Sequence, residues 1–237
     1  MSLYTISDLH LAMGNPEKNM EVFNGWKDYQ DLIYKNWQNK VLPQDIVVVG
    51  GDISWGLKLK DTVKDFQFLN SLNGTKILGK GNHDYFWTTQ HKVETFFNEH
   101  GFDTLHLLFN NYYQYGEYAI CGTRGWINID GETITNNGIV DNQKVTMREV
   151  QRLETSISLA EANGLIPIVF LHYPPIFANT YNYDILEVLY RHNVKECYYG
   201  HIHGADKHKY AINGLRDGIN FHLVSGDYIQ FDPVKVL

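Results

Sequence analysis

Five short motifs, in a fixed order along most of the chain, carry groups able to hold metal ions. They are Asp8-Leu9-His10, Gly51-Asp52, Gly81-Asn82-His83-Asp84, His172 in an HYPP run, and Gly200-His201-Ile202-His203. The set mixes carboxylates, imidazoles and one amide oxygen, and it contains no cysteine. That mixture suits two hard or borderline divalent ions held side by side, and does not suit a structural zinc. Paired ions of this kind clamp and attack phosphate esters.

Each motif alone has an ordinary structural explanation: a turn, a helix cap, or a histidine before a rigid Pro-Pro. What joins them is position. Residues 2–7 read as a strand ending at Asp8, and the apolar run 46–49 ends in Gly50-Gly51-Asp52. Residues 76–79 lead to GNHD, 166–171 to His172, and 195–199 to GHIH. Open α/β sheets bind ligands at the carboxyl ends of their strands, which gives five remote positions a reason to converge.

The intervening segments must hold those strands. Trp26, Tyr29, Ile33 and Trp37 are spaced as one face of a helix within 16–40, bounded by Gly14, Pro16 and Pro43. Helices are also expected over 58–72, 88–100 and 183–192. In 143–163, Met147, Val150, Leu153, Ile157 and Ala160 form the clearest apolar stripe, with Gly164 as C-cap. Between them, NNYY at 110–113 reads as a turn joining two strands, and 122–140 as a long loop. The stretch 206–234 reads as a strand meander with turns at Asn213-Gly214 and Asp217-Gly218. Alternating strands and helices followed by a strand-rich tail predict an α/β fold, with two mixed sheets packed together and helices outside. One domain over 1–237 is expected, with 14–43 as a candidate helical cap over the site.

The chain has 237 residues, 43% of them hydrophobic, enough for one sizeable core. Its net charge of −7 argues against broad nucleic-acid binding, which rests on Lys and Arg at phosphates, although a local basic groove is compatible with it. Cys121 and Cys197 fit no paired spacing and sit in apolar stretches, so buried thiols in a reducing cytosol are expected. No run approaches the about 18–20 apolar residues of a membrane span, and the opening MSLYTISDLH reads as a strand rather than a signal peptide. A cytoplasmic protein without a membrane partner is the expectation. Nothing in the sequence reports oligomeric state.

The order D-x-H, G-D, G-N-H-D, H, G-H-x-H over 8–203 resembles the calcineurin-like metallophosphoesterases. The flanking text GDISWG, KGNHDY, GTRGW, LHYPP and GHIHG resembles an uncharacterised bacterial branch of predicted phosphohydrolases. The resemblance implies an αββα sandwich and two metal ions, divalent or trivalent, drawn from Mn, Fe, Zn or Co. It implies that Asp8, His10 and His203 hold the first ion, that Asn82, His172 and His201 hold the second, and that Asp52 bridges them. A water or hydroxide between the ions would attack phosphorus in line. His83 would be the general acid, with Asp84 orienting its imidazole, and Arg124 in GTRGW is the candidate for binding substrate phosphate.

GDISWG lacks the arginine of the protein Ser/Thr phosphatases, whose third motif is GNHE rather than GNHD. The implied substrate is a small-molecule phosphate ester, with a phosphodiester favoured over a monoester. The alternatives are a phosphomonoesterase or protein phosphatase, and a non-catalytic scaffold of the same fold. Every matching position is filled here, His83 included, which counts against the scaffold.

Overall fold

The structure is a computed structural model that describes residues 1–126 and 138–237, the side chains of 138–142 apart. The first half alternates strand and helix: β1 (Leu3–Ile6), α1 (Tyr29–Lys40), β2 (Ile46–Val49), α2 (Val63–Ser71), β3 (Thr75–Leu78), α3 (Gln90–His100) and β4 (Leu105–Leu107). Then come β5 (Tyr113–Tyr115), β6 (Tyr118–Thr123), α4 (Gly138–Glu161), β7 (Ile166–Leu171), and a small hairpin of β8 (Ile176–Phe177) and β9 (Thr180–Tyr181). The chain finishes with α5 (Tyr183–Arg191), β10 (Glu196–Tyr199), α6 (Ala205–His208), β11 (Gly214–Arg216), β12 (Ile219–Leu223) and β13 (Val234–Lys235).

Two mixed sheets result. One has the order β13-β1-β2-β3-β4, parallel except for β13. The other has the order β11-β12-β10-β7-β6-β5, with four parallel central strands and an antiparallel strand at each edge. The period-two alternation of each strand divides its side chains between two cores. In β2, Val47 and Val49 join Ile33 and Trp37 of α1 and Phe66 of α2. Val48 faces the opposite way and meets Leu3, Ile77, Ile168 and Phe170 between the sheets. In β7, Val169 and Leu171 pack with Leu153 and Ile157 of α4 and Leu189 of α5. Helix, sheet, sheet, helix is therefore the layer order, as expected from the sequence. Each fully buried Leu, Ile or Val contributes roughly 1.5–3 kcal/mol.

Three local readings change. The helix expected over 16–40 begins at Tyr29, because Asp28 takes a left-handed conformation (φ 53°) and short 3-10 turns occupy 16–18 and 20–22. Trp26 keeps the helical spacing but lies outside the helix. The residues NNYY do join two strands, β4 and β5, which belong to different sheets; the hairpin turn is Tyr115-Gly116-Glu117-Tyr118. Helix α4 starts at Gly138 and Met147 is 48% exposed, so its buried stripe begins later than the spacing suggested. In the tail, Asp217-Gly218 does turn β11 into β12, whereas Gly214 opens β11 and 205–208 is helical. The part of the expected loop that covers 127–137 lies outside the described residues.

Both cysteines are buried free thiols, and burial pushes Cys121 up to about 12, so neither is poised for thiolate chemistry. Among the described residues, no helix is long and apolar enough to cross a membrane.

Candidate metal centre

The parallel strands of both sheets deliver their motifs to one edge. Asp8 and His10 follow β1, Asp52 follows β2, and Asn82 to Asp84 follow β3. From the second sheet, Arg124 follows β6, His172 follows β7, His201 and His203 follow β10, and Asp227 follows β12. The sheets are stitched at this edge by a parallel bridge between Ser7 and Ser225. Two motif glycines are required by contact distance. A Cβ on Gly81 would lie 2.0 Å from Asp52 Oδ1, and one on Gly200 would lie 2.1 Å from Ser7 Oγ and 2.3 Å from Asp8 Oδ2.

Four of the seven expected metal ligands hold a left-handed backbone: Asp8 (φ 61°), His10 (φ 44°), Asp52 (φ 50°) and His201 (φ 72°). Each costs on the order of 1 kcal/mol or more, and such strain persists where the surrounding fold over-determines it, characteristically at functional sites. The strain turns their side chains into a common space. Ligand atoms of Asp8, His10 and His203 lie within 4.8 Å of one another, and so do those of Asp52, His172 and His201. Asp52 stands between the two groups, with Oδ2 3.6 Å from His10 Nε2 and 3.5 Å from His172 Nε2.

The hydrogen-bond pattern is that of a cation site. His172 Nδ1 lies 3.2 Å from the Gly50 carbonyl, which assigns its proton there and leaves Nε2 as a bare lone pair. That lone pair faces Asn82 Oδ1 at 2.6 Å. Likewise His203 Nδ1 donates to Asp227 Oδ1 at 2.9 Å, while its Nε2 faces His10 Nε2 at 3.4 Å and Asp8 Oδ1 at 3.5 Å. Acceptors opposed as His172 Nε2 and Asn82 Oδ1 are repel unless a positive charge lies between them. The donors present therefore fit two metal ions.

Electrostatics agree. Burial lowers His10 and His172, and a neighbouring histidine lowers each further, so both are neutral imidazoles, the form that ligates metal. Burial pushes the Asp52 carboxyl well above the usual range, reinforced by Asp84 and Asp8. Burial would lower His203, but Asp8 and Asp227 outweigh it and hold its imidazole well above the usual range. The same histidines hold Asp8 below it against burial. The pocket's field thus calls for added positive charge.

The sequence model of the calcineurin-like phosphoesterase family matches residues 1–205. The chain belongs to the calcineurin-like phosphoesterase family. It is 31% identical over 105 residues to an uncharacterized protein, MJ1445, of Methanocaldococcus jannaschii; the match covers 44% of this chain and 57% of that relative. Two solved structures share the fold. A phosphopantetheinyl hydrolase of Mycobacterium tuberculosis superposes with TM-score 0.56 at 14% identity, covering 100% of this chain and 95% of the other. The protein of unknown function AQ665 of Aquifex aeolicus superposes with TM-score 0.51 at 18% identity, covering 99% and 95%. At these identities the likeness speaks to fold alone. The family is one of phosphoesterases, and among the described residues this member has two candidate metal sites.

The remaining expected residues of this phosphoesterase sit around the two groups. His83 donates its main-chain N–H to Asp52 Oδ1 at 2.7 Å, and its ring packs on Trp55 at 4.6 Å and lies 5.6 Å from His10. Asp84 engages the main chain. Its buried carboxylate accepts main-chain N–H groups of Gly81 (2.7 Å), Ile53 (2.8 Å), Asp52 (3.0 Å) and Ser54 (3.4 Å). It thereby locks the second motif to the third. Burial still pushes it up to about 6, against those donors. Arg124 lies 3.6 Å from Glu149 and over the ring of Trp126.

Aromatic rings wall the first group: Trp55 stacks on His10 at 4.9 Å, and Trp26 meets both His10 and His203 edge-on. Tyr173 lies against His201 at 4.1 Å, whereas Trp87 is a core residue. His208 bonds to Asp227, and His222 pairs with Glu196, so both serve as supports. Trp26 and Tyr173 were invisible as site residues because only their long-range contacts mark them.

Proposed function

We propose that this phosphoesterase is a dinuclear-metal phosphohydrolase that cleaves a phosphodiester or other small phosphate ester. The observation that carries the reading is Asp52, whose Oδ2 lies within 3.6 Å of an imidazole nitrogen from each donor group. In this reading Asp8, His10 and His203 hold one ion, Asn82, His172 and His201 hold the other, and Asp52 is shared. Mn, Fe, Zn and Co all suit such ligands. When bound, the pair supplies an activated water and neutralises charge on the phosphoryl oxygens.

The protein's own groups do the rest. His83 protonates the leaving oxygen. Asp84 positions His83, and its carboxylate holds the main chain of Gly81 and Asp52. Arg124 takes phosphate oxygens of the substrate with its planar fork. The chain acts as one domain over 1–237. Segment 14–43 caps the first position through Trp26, while its helix α1 is held in the core by Tyr29, Ile33 and Trp37.

Asp227 orients His203 and fixes its tautomer. Asp227→Asn should weaken metal binding by roughly 10–100-fold, as removal of such a support does in other metal sites. Titration of metal-stripped protein against a fluorescent chelator reads this directly, and unchanged affinity would argue against the assignment.

The reaction is tested with paired nitrophenyl phosphates, monoester against diester, on protein stripped of metal and reloaded with Mn²⁺. Metal-dependent turnover with the diester preferred is expected. Monoester preference would shift the reading to a phosphomonoesterase. No turnover by protein that holds two ions would contradict hydrolysis of such esters.

A further inference from the structure

A second charged cluster lies beside the donor groups without belonging to them. Glu149 of α4 is 1% exposed and accepts from the Thr123 hydroxyl and from Arg152, 2.5 Å away. Arg124 reaches within 3.6 Å of the same carboxylate. Lys80 lines the same small cavity, its ammonium donating to the Trp87 carbonyl. One buried carboxylate therefore faces three cations. One cation balances its charge, and the Asp84 carboxylate also acts on Lys80, so at least one positive charge is left over.

The cations are held in advance. Arg124 lies over Trp126 at 5.1 Å and Arg152 over Phe109 at 4.6 Å, while Glu149 ties the two guanidinium groups together. A planar fork fixed this way loses little freedom on meeting an oxyanion. Arg124 Nε is buried and has no acceptor among the described residues. The cavity beneath is about 10 Å³, room for one water, so an anion seats at its mouth, where the Arg124 and Arg152 side chains are 19% and 26% exposed.

The cluster is fastened to the metal centre by backbone. The Arg124 carbonyl accepts the N–H groups of both His172 and Tyr173, and Lys80 directly precedes Gly81-Asn82.

We propose that Lys80, Arg124 and Arg152 form a second anion subsite beside the Asn82/His172 position, with Glu149 as its positioning residue, and that it takes a phosphate of the substrate other than the one cleaved. The assignment rests on the hydrolase reading above and narrows its substrate class to esters whose retained half carries a further phosphate. Such a group brings about two negative charges at neutral pH, opposite in sign to the surplus.

The test compares two nitrophenyl phosphodiesters that differ by one phosphomonoester on the retained half. The protein should prefer the phosphorylated ester in kcat/KM. Arg152→Gln should cut that preference by about tenfold, the value of one lost charged hydrogen bond, and Arg152→Lys should restore part of it. Glu149→Gln should raise KM for the phosphorylated ester more than it lowers kcat, a split that a merely structural role would not produce. An unchanged preference in Arg152→Gln would overturn the subsite. If neither ester is turned over, the hydrolase reading fails separately, and inorganic phosphate binding to metal-loaded protein then reads the subsite. Two phosphates per chain in the native protein and one in Arg152→Gln support it; equal numbers overturn it.

Discussion

Asp52→Asn should abolish metal-dependent turnover while making the metal-free protein more stable. Asp52 lies between the two donor groups, so its loss removes a ligand from both positions at once. Turnover should fall by about a thousandfold or more, because charge stabilisation and water activation both depend on the ion pair. Stability should move the other way. Burial, Asp84 and Asp8 all push the Asp52 carboxyl up, so its ionised form is disfavoured in the folded chain. A carboxyl raised on folding opposes folding increasingly as pH rises above the unfolded range of about 4. At pH 7 the amide removes that penalty and keeps the side-chain oxygen that the His83 N–H uses. Thermal melts of stripped protein, native against variant, together with metal content and turnover, check both arms. A variant that keeps two ions and native turnover would remove Asp52 from the centre. A lower melting temperature would contradict the electrostatic argument.

The second large effect is expected at His83. His83→Ala should lower kcat by about 10²–10⁴-fold, the usual contribution of a positioned acid, with metal content unchanged. The loss should depend on the leaving group. A nitrophenolate departs without a proton, so an alkyl ester should suffer more than a nitrophenyl ester. Steady-state kinetics on the two esters test this. Equal losses would assign the ring to packing against Trp55, which it also touches.

Much of this was legible in the chain because parallel strands buried on both faces are short apolar runs, and their carboxyl ends are where ligands bind. That rule brings Asp8, Asp52, Asn82, His172 and His201 to one edge. What escaped depends on partners far away in sequence or on main chain. Trp26 was counted into α1 from its spacing, and only Asp28's left-handed φ separates it. NNYY reads as a turn between two strands, but the sheet that each strand joins is a long-range choice. The main-chain N–H groups that Asp84 accepts leave no mark in a sequence. Glu149 and Arg152 were hidden in an ordinary helical charge pattern; an i,i+3 Glu-Arg pair is normally solvated, and only burial against Thr123 and Arg124 sets this one apart.

A two-metal centre built from the five motifs is tested most directly by the number of ions per chain. Stripped protein loaded with Mn²⁺ at equilibrium and assayed by elemental mass spectrometry should hold two ions, falling to at most one in His172→Ala, with the fold intact by circular dichroism. A native protein that saturates at one ion or none would contradict the account.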